Sequence, residues 1–274
     1  MKKYQRANLT PATGSCSTQQ QRIVKEFTCR AEAFATAPAL TSADTLNLLV
    51  QMSNAGPQDV ALDIACGAGM VVCAFAEVVH SATGIDLTPA MIQRAQALQR
   101  EKGLINISWR VGDVLPLPYA DESFSIVTCR YALHHMENPA AVVSEMVRVC
   151  TPGGRVVLAD MYASSNPMKA AAFNHMEKLR DGSHVRAMPV TELSSLLHEA
   201  GLCRLQSAFY SLDWELESVL QGSSINTEEA QVIRRLFSED LISDSMSVNA
   251  RHQESSIWFS YPIVVIVAEK SRES

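Results

Sequence analysis

At 274 residues, 47% hydrophobic and 19% charged, the chain has ample material for a packed core, which excludes disorder. The length fits one large domain, or one domain with a sizeable cap. A net charge of −6 repels phosphate backbones and argues against nucleic acid as substrate or partner.

Residues 1 to about 20 predict a loose arm rich in Thr, Ser and Gln. From 21 to 52 the pattern is helical: Ile23, Phe27, Ala31 and Phe34 recur at three- and four-residue spacing, and 45–52 adds a second apolar stretch. Pro57 ends this prelude. Strand and helix then alternate, which argues for a parallel sheet. Residues 60–65 read as the first strand and 70–80 as the helix after a glycine turn. Residues 82–87 read as the second strand. Thr88 is expected to cap the next helix, with Pro89 in its first turn, and Gly103 to stop it after Lys102. Residues 105–111 and 124–129 give the third and fourth strands. Asn138-Pro139 repeats the cap-plus-proline start for a helix to Cys150, and after the turn Pro152-Gly153-Gly154 a fifth strand fills 155–161.

Beyond that strand the rhythm changes. Helices are predicted at 168–180, 191–200 and 228–241, a sixth strand at 202–210, and polar loops in the rest of 211–256. Residues 256–269 form a β-rich run in which Pro262 suits a bend or an unpaired stretch. The expected organisation is an N-terminal arm with cap helices (1–56), a cofactor-binding core (57–161), substrate-cap insertions with the sixth strand (162–256), and a C-terminal strand and tail (257–274). The fold class is α/β, a Rossmann-like, doubly wound, mostly parallel seven-stranded sheet with helical cap elements.

The longest pure apolar run near the end, 263–268, is far too short to span a bilayer, and the first residues lack a signal peptide's apolar core. The expectation is a cytoplasmic protein without membrane insertion, monomeric or homodimeric. Seven cysteines (Cys16, Cys29, Cys66, Cys73, Cys129, Cys150 and Cys203) form no C-x-x-C pair and read as buried, reduced, inert thiols. No helical histidine pair has zinc spacing, so no metal site is expected.

The chemistry concentrates in Val60-Ala61-Leu62-Asp63-Ile64-Ala65-Cys66-Gly67-Ala68-Gly69, followed by Gly84-Ile85-Asp86. An apolar strand ends in an acid and a glycine turn, and a second strand ends in another acid. Glycines let the backbone approach a nucleoside, and a carboxylate accepts both hydroxyls of a ribose. A dinucleotide fingerprint wants a small residue three places after Gly69, and Val72 stands there. The alternatives are a ligand-free turn for the glycines and a helix-capping role for Asp86. Gly112-Asp113-Val114 follows the third strand, then Leu115-Pro116-Leu117-Pro118. The fourth strand delivers Cys129-Arg130-Tyr131-Ala132-Leu133-His134-His135.

This set, with Thr151-Pro152-Gly153-Gly154-Arg155 and Asp181-Gly182-Ser183-His184-Val185-Arg186, resembles the class I S-adenosylmethionine-dependent methyltransferases, in particular the ubiquinone/menaquinone-type small-molecule group. Ala65 departs from the glycine more common in that group. The resemblance implies S-adenosylmethionine as cofactor and a small-molecule acceptor methylated on oxygen, carbon or nitrogen; residues 162–256, long and idiosyncratic for a housekeeping enzyme, make a specialised metabolite the preferred acceptor. It implies cofactor contacts from Asp63, Ala65, Gly67, Gly69, Asp86, Leu87, Met91, Gly112, Asp113, Val114, Cys129 and Arg130. His134, His135 and Tyr131 are the candidate proton-transfer groups, although paired histidines there also serve to pack or cap the next helix. Phe34, Tyr162, Phe173, His175 and His184 are candidates for the acceptor pocket. Alternatives remain a quinone-precursor C-methyltransferase, a non-methylating enzyme that uses bound cofactor as a scaffold, and a binding protein with a relic site.

Overall fold

Short apolar runs punctuated by glycine, proline and Asx turns give an alternation of strand and helix in the computed structural model, which describes residues 17–272. Helices α1 (Thr18–Cys29), α2 (Ala31–Thr36), α3 (Pro38–Thr41) and α4 (Ala43–Met52) precede the sheet. Then come β1 (Val60–Ile64), α5 (Met70–Ala76), β2 (Ser81–Asp86), α6 (Pro89–Lys102), β3 (Ile107–Val111) and β4 (Phe124–Arg130). A 3-10 turn at Leu133–His135 leads to α7 (Pro139–Val149) and β5 (Cys150–Ala163). The remainder is α8 (Pro167–Arg180), β6 (Met188–Pro189), α9 (Val190–Glu199), β7 (Leu202–Glu215), α10 (Leu216–Gln221), α11 (Thr227–Ser243), β8 (Arg251–Gln253) and β9 (Ser256–Lys270).

The main path of the sheet runs β3-β2-β1-β4-β5-β9-β7. β1 to β5 are mutually parallel, and β9 lies antiparallel between β5 and β7. These are the seven strands expected from the sequence; the short β6 and β8 extend the described sheet to nine. Chain order reverses between β1 and β4, and the crevice beyond the carboxyl ends of such strands is where ligands bind in open α/β sheets.

Several local expectations change. The arm turns helical at Thr18, because Ser17 and Gln20 form a reciprocal capping box. Thr88 makes no side-chain cap; its amide donates instead to Asp86 Oδ1 at 2.8 Å. The Pro152-Gly153-Gly154 turn lies inside β5, as a register shift against β4. β7 runs five residues past its expected end at Tyr210, to Glu215, along the length of β9. Pro262 stays in register with Ser211 of β7, but β5 pairs with β9 only from Ile263 onward, so the proline sits where that ladder has ended. Cys29 is exposed and Cys203 half-buried, while Cys66, Cys73, Cys129 and Cys150 are buried free thiols; Cys16 lies outside the described residues.

One side chain sets the packing beneath the glycine turn. The Trp109 indole, on β3, lies where Cβ atoms at Gly69 and Gly84 would fall, at 2.6 and 2.5 Å. Its Nε1 donates to Gln99 Oε1 at 2.7 Å, which holds the ring in place. Gly84→Ala is therefore expected to cost about 1–3 kcal/mol, the range for overpacking a filled interior. Gly56→Ala, where no heavy atom lies within 4 Å of the new Cβ, should leave the midpoint unchanged. Urea denaturation of both variants checks this; equal midpoints would remove the packing explanation.

Candidate functional site

Beyond the carboxyl ends of β1, β2 and β4 lies a cavity of about 370 Å³, roofed by Gln19, Gln20, Ile23 and Phe27 of α1. Asp86, at the end of β2, is 8% exposed. Its Oδ2 accepts from the Gly67 amide and its Oδ1 from the Thr88 amide, both at 2.8 Å. A carboxylate has about four acceptor directions, so two remain for a ligand. Burial pushes this carboxyl up, against the amides that favour its charged form. Gly67 has φ +51°, and nothing lies within 4 Å of where its Cβ would point. Ala65 also has a positive φ, +50°, which explains why glycine is at home in that position. Alanine bears a cost there of roughly 1–2 kcal/mol.

Asp63 is buried at the end of β1 and accepts from Thr128 Oγ1 at 2.5 Å. Burial pushes its carboxyl up to about 7, opposed by the Thr128 hydrogen bond and by Arg130. Asp113 accepts from the Leu115 amide at 3.2 Å and from Gln20 Nε2. Leu87, Met91 and Val114 supply apolar wall. Arg130 stacks on the Tyr131 ring at 4.3 Å and donates from Nη2 to Leu40 O at 3.1 Å. Its Nε is buried without a hydrogen-bond partner among the described residues.

Three of the sequence candidates stand behind this cavity rather than on it. Gly69, at φ +85°, meets Trp109 and Ala95, and Gly112 backs onto Ile85. Cys129 is buried in β4.

A second cavity, of about 180 Å³, adjoins the first; Leu40, Tyr131 and His135 line both. His134 and Trp214 border it, as do Arg30, Arg180 and Asp181. Both oxygens of Asp160 hold His134: Oδ1 faces Nδ1 at 2.6 Å and Oδ2 accepts from the backbone amide at 3.1 Å. Burial pulls the His134 ring down, but Asp160 outweighs it, and the net direction is up. His135 is pushed down to about 3 by burial and by His134, so it is neutral. Its Nδ1 lies 3.1 Å from both Ser183 O and Ser183 Oγ. Tyr131 Oη shares a 2.5 Å hydrogen bond with Tyr210 Oη.

The other acceptor-pocket candidates fall elsewhere. Phe173 is core, packed on Tyr261, and Tyr162 is half-buried against Phe209. His175 is exposed on α8. His184 is buried with its ring 5.5 Å from that of His134, but its Nε2 is engaged by Asn174 Oδ1 at 2.8 Å and it lines neither cavity. Phe34 belongs to α2, and its side chain lies outside the described residues. Sequence reasoning missed Gln19, Gln20, Asp160, Arg30 and Arg180. For the two glutamines a signal existed, since Ser17-x-x-Gln20 is a capping-box pattern that marks a helix start. No group of three or more His, Cys, Asp or Glu among the described residues is arranged to hold a metal ion. No helix among them is long and apolar enough to cross a membrane.

The first cavity fits S-adenosylmethionine on its own chemistry. It offers an acid with spare acceptor directions, a second buried acid, open space over Gly67, and an unpartnered guanidinium N–H for a carboxylate. Comparison with known proteins agrees. Residues 62–158 match the methyltransferase domain family. The chain is 29% identical over 242 residues to the uncharacterized methyltransferase YcgJ of Bacillus subtilis, spanning 88% of this chain and 96% of that one. The crystal structure of YcgJ superposes with a TM-score of 0.78, covering 83% of this chain and 98% of YcgJ. A Bacillus halodurans structure named as a methyltransferase candidate is 30% identical with a TM-score of 0.76, covering 84% of this chain and all of that one (100%). A 2-phytyl-1,4-naphtoquinone methyltransferase of Synechococcus elongatus is 33% identical over 126 residues, 44% of this chain and only 54% of that protein. The acid–glycine–acid cavity at the sheet's switch point and these full-length likenesses together make the chain a member of the class I S-adenosylmethionine-dependent methyltransferases, within their small-molecule branch.

Proposed function

We propose that this protein methylates an oxygen, carbon or nitrogen atom of a small molecule held in the second cavity, in the biosynthesis of a specialised metabolite in the cytoplasm. The observation that carries the reading is the junction of the two cavities at Leu40, Tyr131 and His135. A donor in one and an acceptor in the other meet there without crossing protein. When bound, the cofactor supplies an electrophilic methyl group on a sulfonium. Transfer from it needs alignment above all, which the walls of both cavities provide. Asp86 accepts the two ribose hydroxyls. Asp113 and the Val114 amide meet the adenine edge, between Leu87 and Met91. Arg130 Nε donates to the methionine carboxylate and Asp63 accepts from the ammonium. Residues 57–161 form the cofactor unit. The preference for a specialised acceptor rests on 162–256, which lies past the end of the family match at residue 158 and contributes Arg180, Leu212, Trp214 and Val219 to the second cavity.

Calorimetric titration with S-adenosylmethionine and S-adenosylhomocysteine tests the reading; absence of binding by both would sink it. Asp63 adds a pH signature. Its carboxyl is neutral below about 7 and charged above. Affinity for the ammonium-bearing donor is expected to rise as pH rises through about 7, and to weaken by up to about tenfold per unit below it. For the unliganded protein the sign is opposite. A folded value raised above the ordinary 3.8 means stability is lost as pH climbs from about 4 toward 7. Titrations between those limits, with Asp63→Asn as the pH-insensitive control, check it; equal slopes in both proteins would contradict it.

A further inference from the structure

We infer that the acceptor is a neutral, single-ring compound bearing a phenolic or enolic hydroxyl, and that His134, oriented by Asp160, takes the proton of that hydroxyl. The inference rests on the reading that the first cavity holds the methyl donor. Size is the first ground. At about 180 Å³ the second cavity is close to the roughly 150 Å³ that accepts benzene, and below the roughly 300–1000 Å³ of sites for drug-sized ligands. One ring fits; a polyprenyl tail must lie outside. Met161, Leu212, Val219 and Ile263 make its walls largely apolar, with Trp214 beside them.

Charge is the second ground. Arg180 forks onto Glu177 at 2.6 and 3.1 Å, and Glu177 also accepts from Tyr261 Oη at 2.7 Å. Arg30 reaches Glu26 at 3.0 Å and Asp181 at 3.3 Å. The cations on the cavity are answered by the protein's own carboxylates. The lining therefore offers no surplus charge of either sign to an ionised acceptor, and a neutral one is favoured.

A neutral hydroxyl is a poor nucleophile until it loses its proton, and one group is arranged to receive it. The Asp160 carboxylate accepts from His134 Nδ1 at 2.6 Å, so Nε2 carries the lone pair on a ring that lines the cavity. The neighbouring imidazoles are occupied: His135 by Ser183 and His184 by Asn174. Glu177 and Asp181 also act on His134 from α8 and the loop after it, and Arg30, Arg180 and Tyr131 border the same cavity. In the reaction the hydroxyl proton moves to His134 Nε2 and the oxygen bonds to the methyl carbon. The carbon–sulfur bond breaks with its electron pair remaining on sulfur. The imidazolium lies against Asp160 until solvent takes the proton after release. Asp160 is a positioning residue: it fixes the tautomer and raises the pH at which His134 becomes a base.

The test incubates the full chain and S-adenosylmethionine with monocyclic phenols, cyclic β-keto esters (neutral enols), benzoic acids, anilines and a prenylated hydroquinone. Methylated product is read by mass spectrometry. Methyl ethers of the phenols or enols are expected. In His134→Gln, kcat should fall about 10²- to 10⁴-fold, the usual contribution of a general base. Donor affinity by calorimetry should stay near wild type, with the melting curve showing that the variant is folded. The wild-type rate should rise through a pH above the ordinary histidine value of 6.5, and Asp160→Asn should move that limb to lower pH. The inference is overturned by donor binding with no phenol or enol methylated, by a preference for the acids or anilines, by methylation of the prenylated hydroquinone on carbon, by unchanged kcat in His134→Gln, or by an unmoved limb in Asp160→Asn. Loss of donor binding in the wild type would instead sink the underlying reading, and this inference with it.

Discussion

Asp86→Ala is expected to weaken S-adenosylmethionine binding by about 10²- to 10⁴-fold. In the proposed binding mode the carboxylate accepts two charge-assisted hydrogen bonds from the ribose hydroxyls, at roughly 1.5–3 kcal/mol each, and a factor of ten corresponds to about 1.4 kcal/mol. The loss extends beyond the ligand. Asp86 also accepts from the Gly67 and Thr88 amides, both at 2.8 Å, so it fixes the glycine turn and the start of α6 together. Asp86→Asn keeps one carbonyl oxygen and should lose less. Calorimetry on both variants, with melting temperatures to confirm folding, measures this. A change of less than about threefold in Asp86→Ala would show that the ribose is held elsewhere.

The largest stability effect is expected at Glu177. It is fully buried, and it answers Arg180 while accepting from Tyr261. Glu177→Ala leaves the guanidinium with Asp181 at 3.8 Å as its remaining carboxylate. Breaking a buried pair from one side costs about 3–5 kcal/mol, which for a chain of this size lowers Tm by roughly 10 °C. Replacing both partners, as Glu177→Leu with Arg180→Met, should recover most of that, because no buried charge is then left unanswered. The pair also sets an acid limit. Burial opposes ionisation of Glu177, but Arg180 outweighs it and holds the carboxyl below the ordinary 4.5. Its contribution is complete above that value and disappears as pH falls through the lowered one. Thermal melts of the single and double variants separate the cases. A single variant that melts with wild type would mean the pair is not essential to the core.

The parts of this molecule that were legible in the sequence are those with local signals. The helix at Pro89–Lys102 matches its expected bounds at both ends, because proline at the start and glycine after the end are short-range instructions. β1 and β2 were legible for the same reason: each is an apolar run ended by an acid and a turn. The second cavity carried no such signal. Arg30, His134, Arg180 and Trp214 are far apart in the chain and are brought to one cavity by the tertiary fold. Residue type also failed where orientation decides. Tyr162 lies near the end of β5 and Phe173 on the helix after it, where an acceptor-pocket aromatic would fall, but their positions on strand and helix turn them onto Phe209 and Tyr261. The His134-His135 pair was ambiguous by sequence. Packing separates the two, giving Asp160 to one and Ser183 to the other. Gln20 falls in the stretch whose composition predicts a loose arm, yet it reaches Asp113 from α1.

The space shared by Cys66, Gly84 and Trp109 bears on how such a protein can change over generations. A Cβ at Gly84 would lie 2.5 Å from the indole and 2.9 Å from the Cys66 sulfur, so three positions on different segments divide one volume. Ser108 and Val111 of the same edge strand are exposed, so a change at either meets solvent rather than a packed neighbour. Positions 66, 84 and 109 are not: a larger residue at one is tolerated only after a smaller one has arisen at another. The exposed face of β3 carries no such constraint, while the Trp109 ring ties the edge of the sheet to the glycine turn after β1.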